Sequence, residues 1–280
     1  MTLHRARRSV LVVAAAVAAL AGRATAQSSE HPLLIFSMTG GYVTGGGIWS
    51  LDRQIALVAS GARDSLSLAR LFRPGFEAGL GVALYRSPHI GLAAEMAFLG
   101  ISTESRCSPL GPYAFDPDRV NEQACLDIQG RHVRTNAAAF QAGAIVRPWA
   151  TTAVQPFLRA VGGLALLGGS FVETAGTVVM SGVGGSTGSP LRARVFLDEE
   201  NRRALTWIAT FSAGVTIAAS PGYQVRFEVR DIVTRVPSVT GPADPQAVQP
   251  FAQVGSRTVQ LLGLTVALDL ALERQRTRRY

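Results

Sequence analysis

Polar and apolar residues alternate with a period of two along Tyr223-Gln-Val-Arg-Phe-Glu-Val-Arg-Asp231. Val225, Phe227 and Val229 therefore share one face of a strand, and Gln224, Arg226, Glu228 and Arg230 share the other. The preceding stretch, Thr206 to Ala219, meets it through Ser220-Pro221-Gly222, a connection short enough to demand an antiparallel hairpin. The same alternation predicts eight strands, near 33–43, 74–85, 89–102, 133–147, 154–172, 204–219, 223–236 and 256–272. A tilted strand needs about 9 to 11 residues to cross a bilayer, and each segment reaches that length.

The connections alternate too. Thr44 to Arg73, Thr103 to His132, Glu173 to Arg203 and Pro237 to Gly255 are long, whereas Arg86-Ser87-Pro88, Pro148 to Ala153 and Ser220-Pro221-Gly222 are short. Four long loops at one end and three tight turns at the other predict an all-β fold, an eight-stranded antiparallel up-and-down transmembrane barrel with external loops and periplasmic turns.

The faces fit that expectation. The last strand places Leu262, Leu264, Val266, Leu268, Leu270 and Leu272 together, opposite Gly263, Thr265, Ala267, Asp269 and Ala271. The second strand sets Phe76, Ala78, Leu80, Val82 and Leu84 against Glu77, Gly79 and Gly81, and the third sets Ile90, Leu92, Met96 and Phe98 against Gly91, Ala93, Glu95 and Ala97. Small and polar residues suit a narrow lumen, leaving the leucine-rich face for lipid. Tyr85, Trp149 and Tyr223 beside the turns, with Tyr42 and Trp207 near the loops, are expected to form two interfacial girdles. A soluble lipocalin-like binder would turn these faces inside out, with an apolar cavity, and leaves the alternation of loop lengths unexplained.

The chain has 280 residues, 48% of them hydrophobic and 16% charged. Residues 1–26 carry arginines at 5, 7 and 8, an apolar run from Val10 to Leu20 and Ala24-Thr25-Ala26, the pattern of a secretory signal. The remainder, 27–280, is expected to be one barrel domain with a short basic tail at 273–280. Removing the four leader arginines from 27 basic residues leaves 23 against 19 acidic ones, a charge near +4 that does not argue for nucleic acid as a partner.

With these residues in place the chain resembles the small OmpA-like and OmpX-like eight-stranded outer-membrane barrels of Gram-negative bacteria. The resemblance is carried by Gln155-Pro-Phe-Leu-Arg-Ala-Val-Gly-Gly163, Val225-Arg-Phe-Glu-Val-Arg-Asp231 and Leu262-Gly-Leu-Thr-Val-Ala-Leu268. It implies an integral outer-membrane protein with a structural or surface-interaction role. The implied partners are outer-membrane lipid, lipopolysaccharide and the barrel-assembly machinery, and the loop partner is left open. Such barrels commonly end in an aromatic; here Tyr280 follows Arg274, Arg276 and Arg278, so the insertion signal is placed at Leu268 to Leu272.

Period-two counting turns Glu77, Glu95, Glu228 and Asp269 into the lumen together with Arg147, Arg159, Arg226 and Arg230. Opposite charges in a narrow interior are expected to pair into a plug, because an unpaired buried charge costs several kcal/mol. The alternative is a polar path for a small solute or ion. Cys107 and Cys125, in one external loop of an exported chain, are expected to form a disulfide. His31, His89 and His132 are scattered and assemble with no serine or carboxylate into a catalytic set, so neither an enzyme, a metal nor a cofactor is expected. Ser181 to Gly188 lacks the lysine of a phosphate-cradling loop and is assigned to flexible surface. Asp198 to Arg203 is a solvated charge run whose arginines can reach lipopolysaccharide phosphates.

Overall fold

The computed structural model describes residues 33–57, 63–110, 119–150, 152–169, 171–179, 191–197, 204–242 and 252–272. The leader, His31, Ser181 to Gly188, the 198–203 run and the basic tail with Tyr280 lie outside these residues. The strands are β1 (Leu33–Gly45), β2 (Gly47–Leu57), β3 (Arg63–Tyr85), β4 (Ile90–Pro109), β5 (His132–Val146), β6 (Val154–Leu167), β7 (Thr174–Val179), β8 (Leu191–Leu197), β9 (Ala204–Ser220), β10 (Tyr223–Pro242) and β11 (Ala252–Leu272), with one helix, α1 (Val120–Ile128), between β4 and β5.

Eight of these strands close a ring. The antiparallel order runs β1, β3, β4, β5, β6, β9, β10, β11 and returns to β1, where Leu34 pairs with Leu272 and Gly45 with Leu261. Closure satisfies every interior ladder, which a sheet in hydrocarbon must do because lipid offers no hydrogen bonds. Curvature brings backbones close: a Cβ at Gly143 of β5 would collide with the carbonyl of Ala160, and one at Gly163 of β6 with that of Phe140. Only glycine fits at either place. At the short-turn end Gly222, with φ 80°, makes the tight reversal between β9 and β10.

An apolar belt surrounds the ring. Phe76 to Leu84, Ile90 to Phe98, Leu158 to Leu166 and Leu262 to Leu272 present alternate exposed side chains, so that Leu264 is 55% exposed while Ala267 is 2%. Exposed apolar surface on this scale far exceeds the few hundred Å² tolerated in water and is what a bilayer covers. Tyr42, Trp149, Trp207 and Tyr223 stand on this exterior. Tyr85 does not; the strand phase turns it into the lumen, where it is buried, and it belongs to no girdle.

Above the belt, at the long-connection end, strand extends into each of the expected loops. β3 runs 23 residues, β4 and β10 20 each and β11 21, roughly twice what a span requires. The segment 44–73 contains β2, which pairs with the first half of β3, and 173–203 contains the β7–β8 hairpin. Here the polarity inverts. Exterior positions become Arg73, Glu104, Arg106, Arg134, Arg235, Thr258 and Gln260, while the interior fills with Ile48, Trp49, Leu66, Leu68, Phe72, Leu99, Ile101, Ile208, Ile232, Val236 and Leu261.

Residues 168, 169, 171 and 172, which alternation alone assigns to the fifth strand, fold inward over this core. Phe171 meets Phe72 edge-on at 6.4 Å, and its carbonyl accepts from the Trp49 indole at 2.9 Å. Gly168 N donates to Asn136 at 2.7 Å and Thr135 Oγ1 to Gly169 at 2.9 Å, tying the segment to β5. Cys107 and Cys125 are disulfide-bonded, with Cα atoms 5.2 Å apart. The bond does not close a free loop. Cys107 lies in β4 opposite Leu68, Cys125 lies in α1, and both are buried, so the link holds α1 against the core.

Two outcomes test this layering. Leu268→Arg should cost about 2 to 4 kcal/mol in urea unfolding from liposomes, and Gln260→Arg, on the same face above the belt, about 0 to 1 kcal/mol. Cys107→Ser should cost about 3 kcal/mol; hydrogen exchange should show α1 and β7 losing protection while the β1–β11 ladder within the belt keeps it.

Candidate functional site

Halfway up the lumen β3, β4, β6, β10 and β11 aim long charged side chains at one another. Arg159 of β6 donates to Glu95 at 2.6 Å and to Glu228 at 2.7 Å. Arg230 bonds Glu77, reaches Glu95 at 3.0 Å and Glu228 at 3.1 Å. Arg226 lies 3.6 Å from Glu228 and 3.5 Å from Asp269, extending the chain of pairs to β11. Ser212 Oγ accepts from Arg159 Nε at 3.4 Å. Three guanidiniums and four carboxylates thus make one network, every side chain in it no more than 5% exposed.

The fold makes room for these groups by thinning the neighbouring strands. Arg230 faces Gly263 across the ladder, Glu95 faces Gly81 and Glu77 faces Gly41. A Cβ at Gly263 would sit 3.3 Å from both Arg230 Cβ and Glu77 Oε2, tight enough to force the pair aside. Guanidinium planes then take several carboxylates at once, which a lysine point charge does less well.

Apolar layers flank the network at both ends. Toward the short turns lie Leu33, Ile35, Ala83, Tyr85, Ala93, Ile145, Phe157 and Val161; toward the long connections lies the core under Phe171. A void of about 10 Å³ within that core, bounded by Phe72, Leu99, Phe171 and Leu261 among others, is at the lower limit for a single water. Thr210 donating to Gln141 at 2.8 Å adds a neutral polar pair inside.

Arg147 stands apart. It is buried, as alternation requires, but among the described residues no carboxylate is within ion-pair distance of it. Its guanidinium lies 3.5 Å over the Tyr85 ring and donates to Gln155 at 3.1 Å, closing the short-turn mouth. Arg70, buried in the upper core and bonded to Ser105 and to the Glu173 carbonyl, is an interior arginine that sequence reading missed. Its signal was present: Leu66, Leu68, Arg70 and Phe72 alternate on one face. His89 lies in the turn against the Arg147 carbonyl at 3.0 Å, and His132 lies outside against Arg73 at 3.1 Å. Among the described residues no group of three or more His, Cys, Asp and Glu could hold a metal ion.

No protein-family model matches the sequence, and no curated protein matches it. Among solved structures the chain is similar to Neisserial surface protein A, at 10% identity over 85% of this chain and 96% of that one, with a TM-score of 0.41. The outer membrane protein OprG of Pseudomonas aeruginosa also gives a TM-score of 0.41, at 10% identity over 87% and 98% of the two chains. The outer membrane protein AlkL gives 0.39, at 12% identity over 91% and 97%. At these scores the barrel reading rests on the closed ladder and belt of this chain itself.

The network predicts an uneven mutational response. Arg159→Ala or Arg230→Ala strands buried carboxylates and should destabilise by about 3 to 5 kcal/mol in urea unfolding. Arg147→Ala, which strands none, should cost clearly less.

Proposed function

We propose that this chain is an integral outer-membrane protein of a Gram-negative bacterium, with a closed lumen and a structural or surface-interaction role. The observation that carries this reading is the stacking of three buried layers inside the ring: apolar, charged, apolar. A solute path would have to break the ion pairs and displace Phe171 together, and each loss is costly. The belt supplies the lipid-facing surface. The 1–26 leader supplies export, and the layered head above the belt then faces the cell exterior, with the short turns in the periplasm.

The partners in this reading are outer-membrane lipid, lipopolysaccharide and, during insertion, the barrel-assembly machinery. Catalysis and nucleic-acid binding have no part in it. The mature charge, 23 basic against 19 acidic residues, is nearly balanced.

Planar-bilayer recording tests it: the refolded protein, verified by a heat-dependent shift in gel mobility, should give no steady conductance. A large, stable conductance in the unmodified chain would overturn the closed lumen and make it a channel.

A further inference from the structure

The exterior just above the belt is not evenly polar. On β3, β4 and β5 the register places Arg73 beside Ser102 and Ser102 beside Arg134, so two outward arginines flank a serine on one rung. The next rung carries Glu104 and His132, and Arg106 follows two residues further along β4. Glu104 holds two of these cations, Arg73 at 3.0 Å and Arg106 at 3.9 Å. Both guanidiniums remain largely open, 44% and 66% exposed. His132 lies against Arg73 at 3.1 Å. Below this row Phe76 and Phe98 pack with ring centroids 5.8 Å apart on the lipid face. Across the barrel, β11 shows Ser256, Arg257, Thr258 and Gln260, Arg257 donating to the Ile48 carbonyl at 3.4 Å, and β10 carries Arg235 and Asp231.

We propose that the β3–β4–β5 rim is a binding site for the phosphorylated headgroup of an outer-leaflet lipid, a site that rests on the membrane reading above. Three guanidiniums against one carboxylate leave a net positive surface, and their forked donors suit phosphate oxygens bidentately. The location selects a lipid. A headgroup seated on Arg73, Arg106 and Arg134 lays its chains on Phe76 and Phe98, in one continuous amphipathic surface. Adjacent strands lie about 4.8 Å apart, so Arg73 and Arg134 are separated by about 10 Å, a span that fits a headgroup bearing two phosphates. Glu104 keeps Arg73 and Arg106 splayed along the rim and so serves as a positioning residue.

The test uses the full chain folded into phosphatidylcholine nanodiscs, with diphosphoryl lipid A titrated in and bound lipid counted by native mass spectrometry. The double variant R73Q/R134Q should bind about tenfold or more weakly, since each arginine lost removes charge-assisted hydrogen bonds. Arg235→Gln, on the other face, should bind as the unmodified protein does. Equal binding by R73Q/R134Q overturns the site. Displacement of the lipid by millimolar inorganic phosphate overturns the lipid as its occupant in favour of a free anion. A chain that gives no folded, heat-shifting barrel in the nanodisc refutes the membrane reading instead, so the two failures are distinguishable.

Discussion

Four carboxylates and three guanidiniums share the buried middle of the ring, between two apolar layers, and pair with one another there. Alone, any of these groups would face a desolvation penalty that its burial could not offset. Together they offset one another's charge in shared ion pairs, at the cost of a wall thinned to glycine at positions 41, 81 and 263. Small residues inside leave the larger apolar ones for the outside, and the lipid belt is the complement of that choice. The network also joins β3, β4, β6, β10 and β11 across the lumen, bracing the ring through its middle as well as around its circumference.

Much of this was legible in the residues. Strict alternation with long exposed leucines reveals a lipid face, and Arg226, Glu228 and Arg230 on successive inward positions announce a charged interior. The upper half was not, and the reason is local. At Pro74-Gly75 the β3–β4 ladder slips between Arg73 and Phe76, and the inward parity of β3 changes from even to odd. Phe72 and Glu77 both point inside, although counting by twos puts them on opposite faces. Arg147 failed differently: its direction was right, but period two carries no information on height, and it lies with Tyr85 and Gln155 below the carboxylates.

The choice between an inverted membrane barrel and an ordinary apolar-cored one assumed a single answer for the whole chain. β4 shows both along one inward row. Glu95 lies at membrane height among charges, and Leu99, Ile101 and Cys107 continue upward into a water-soluble style of core. Each half obeys the same rule, that a strand turns its apolar face away from whatever solvent surrounds it. The solvent changes partway up, and the sequence changes with it.

That change of solvent bears on how the ring can be made. The polar-skinned head with its buried core belongs on one side of the bilayer, and all four long connections lie at that end. Each must pass through the hydrocarbon before β1 and β11 pair, because afterwards no gap in the wall remains. The β1–β11 seam joins the first strand of the ring to the last, so it cannot form until every strand between them is present. Once shut, it leaves the polar-skinned head standing on one side of the hydrocarbon, and the assembled protein has a direction in the membrane that is costly to reverse.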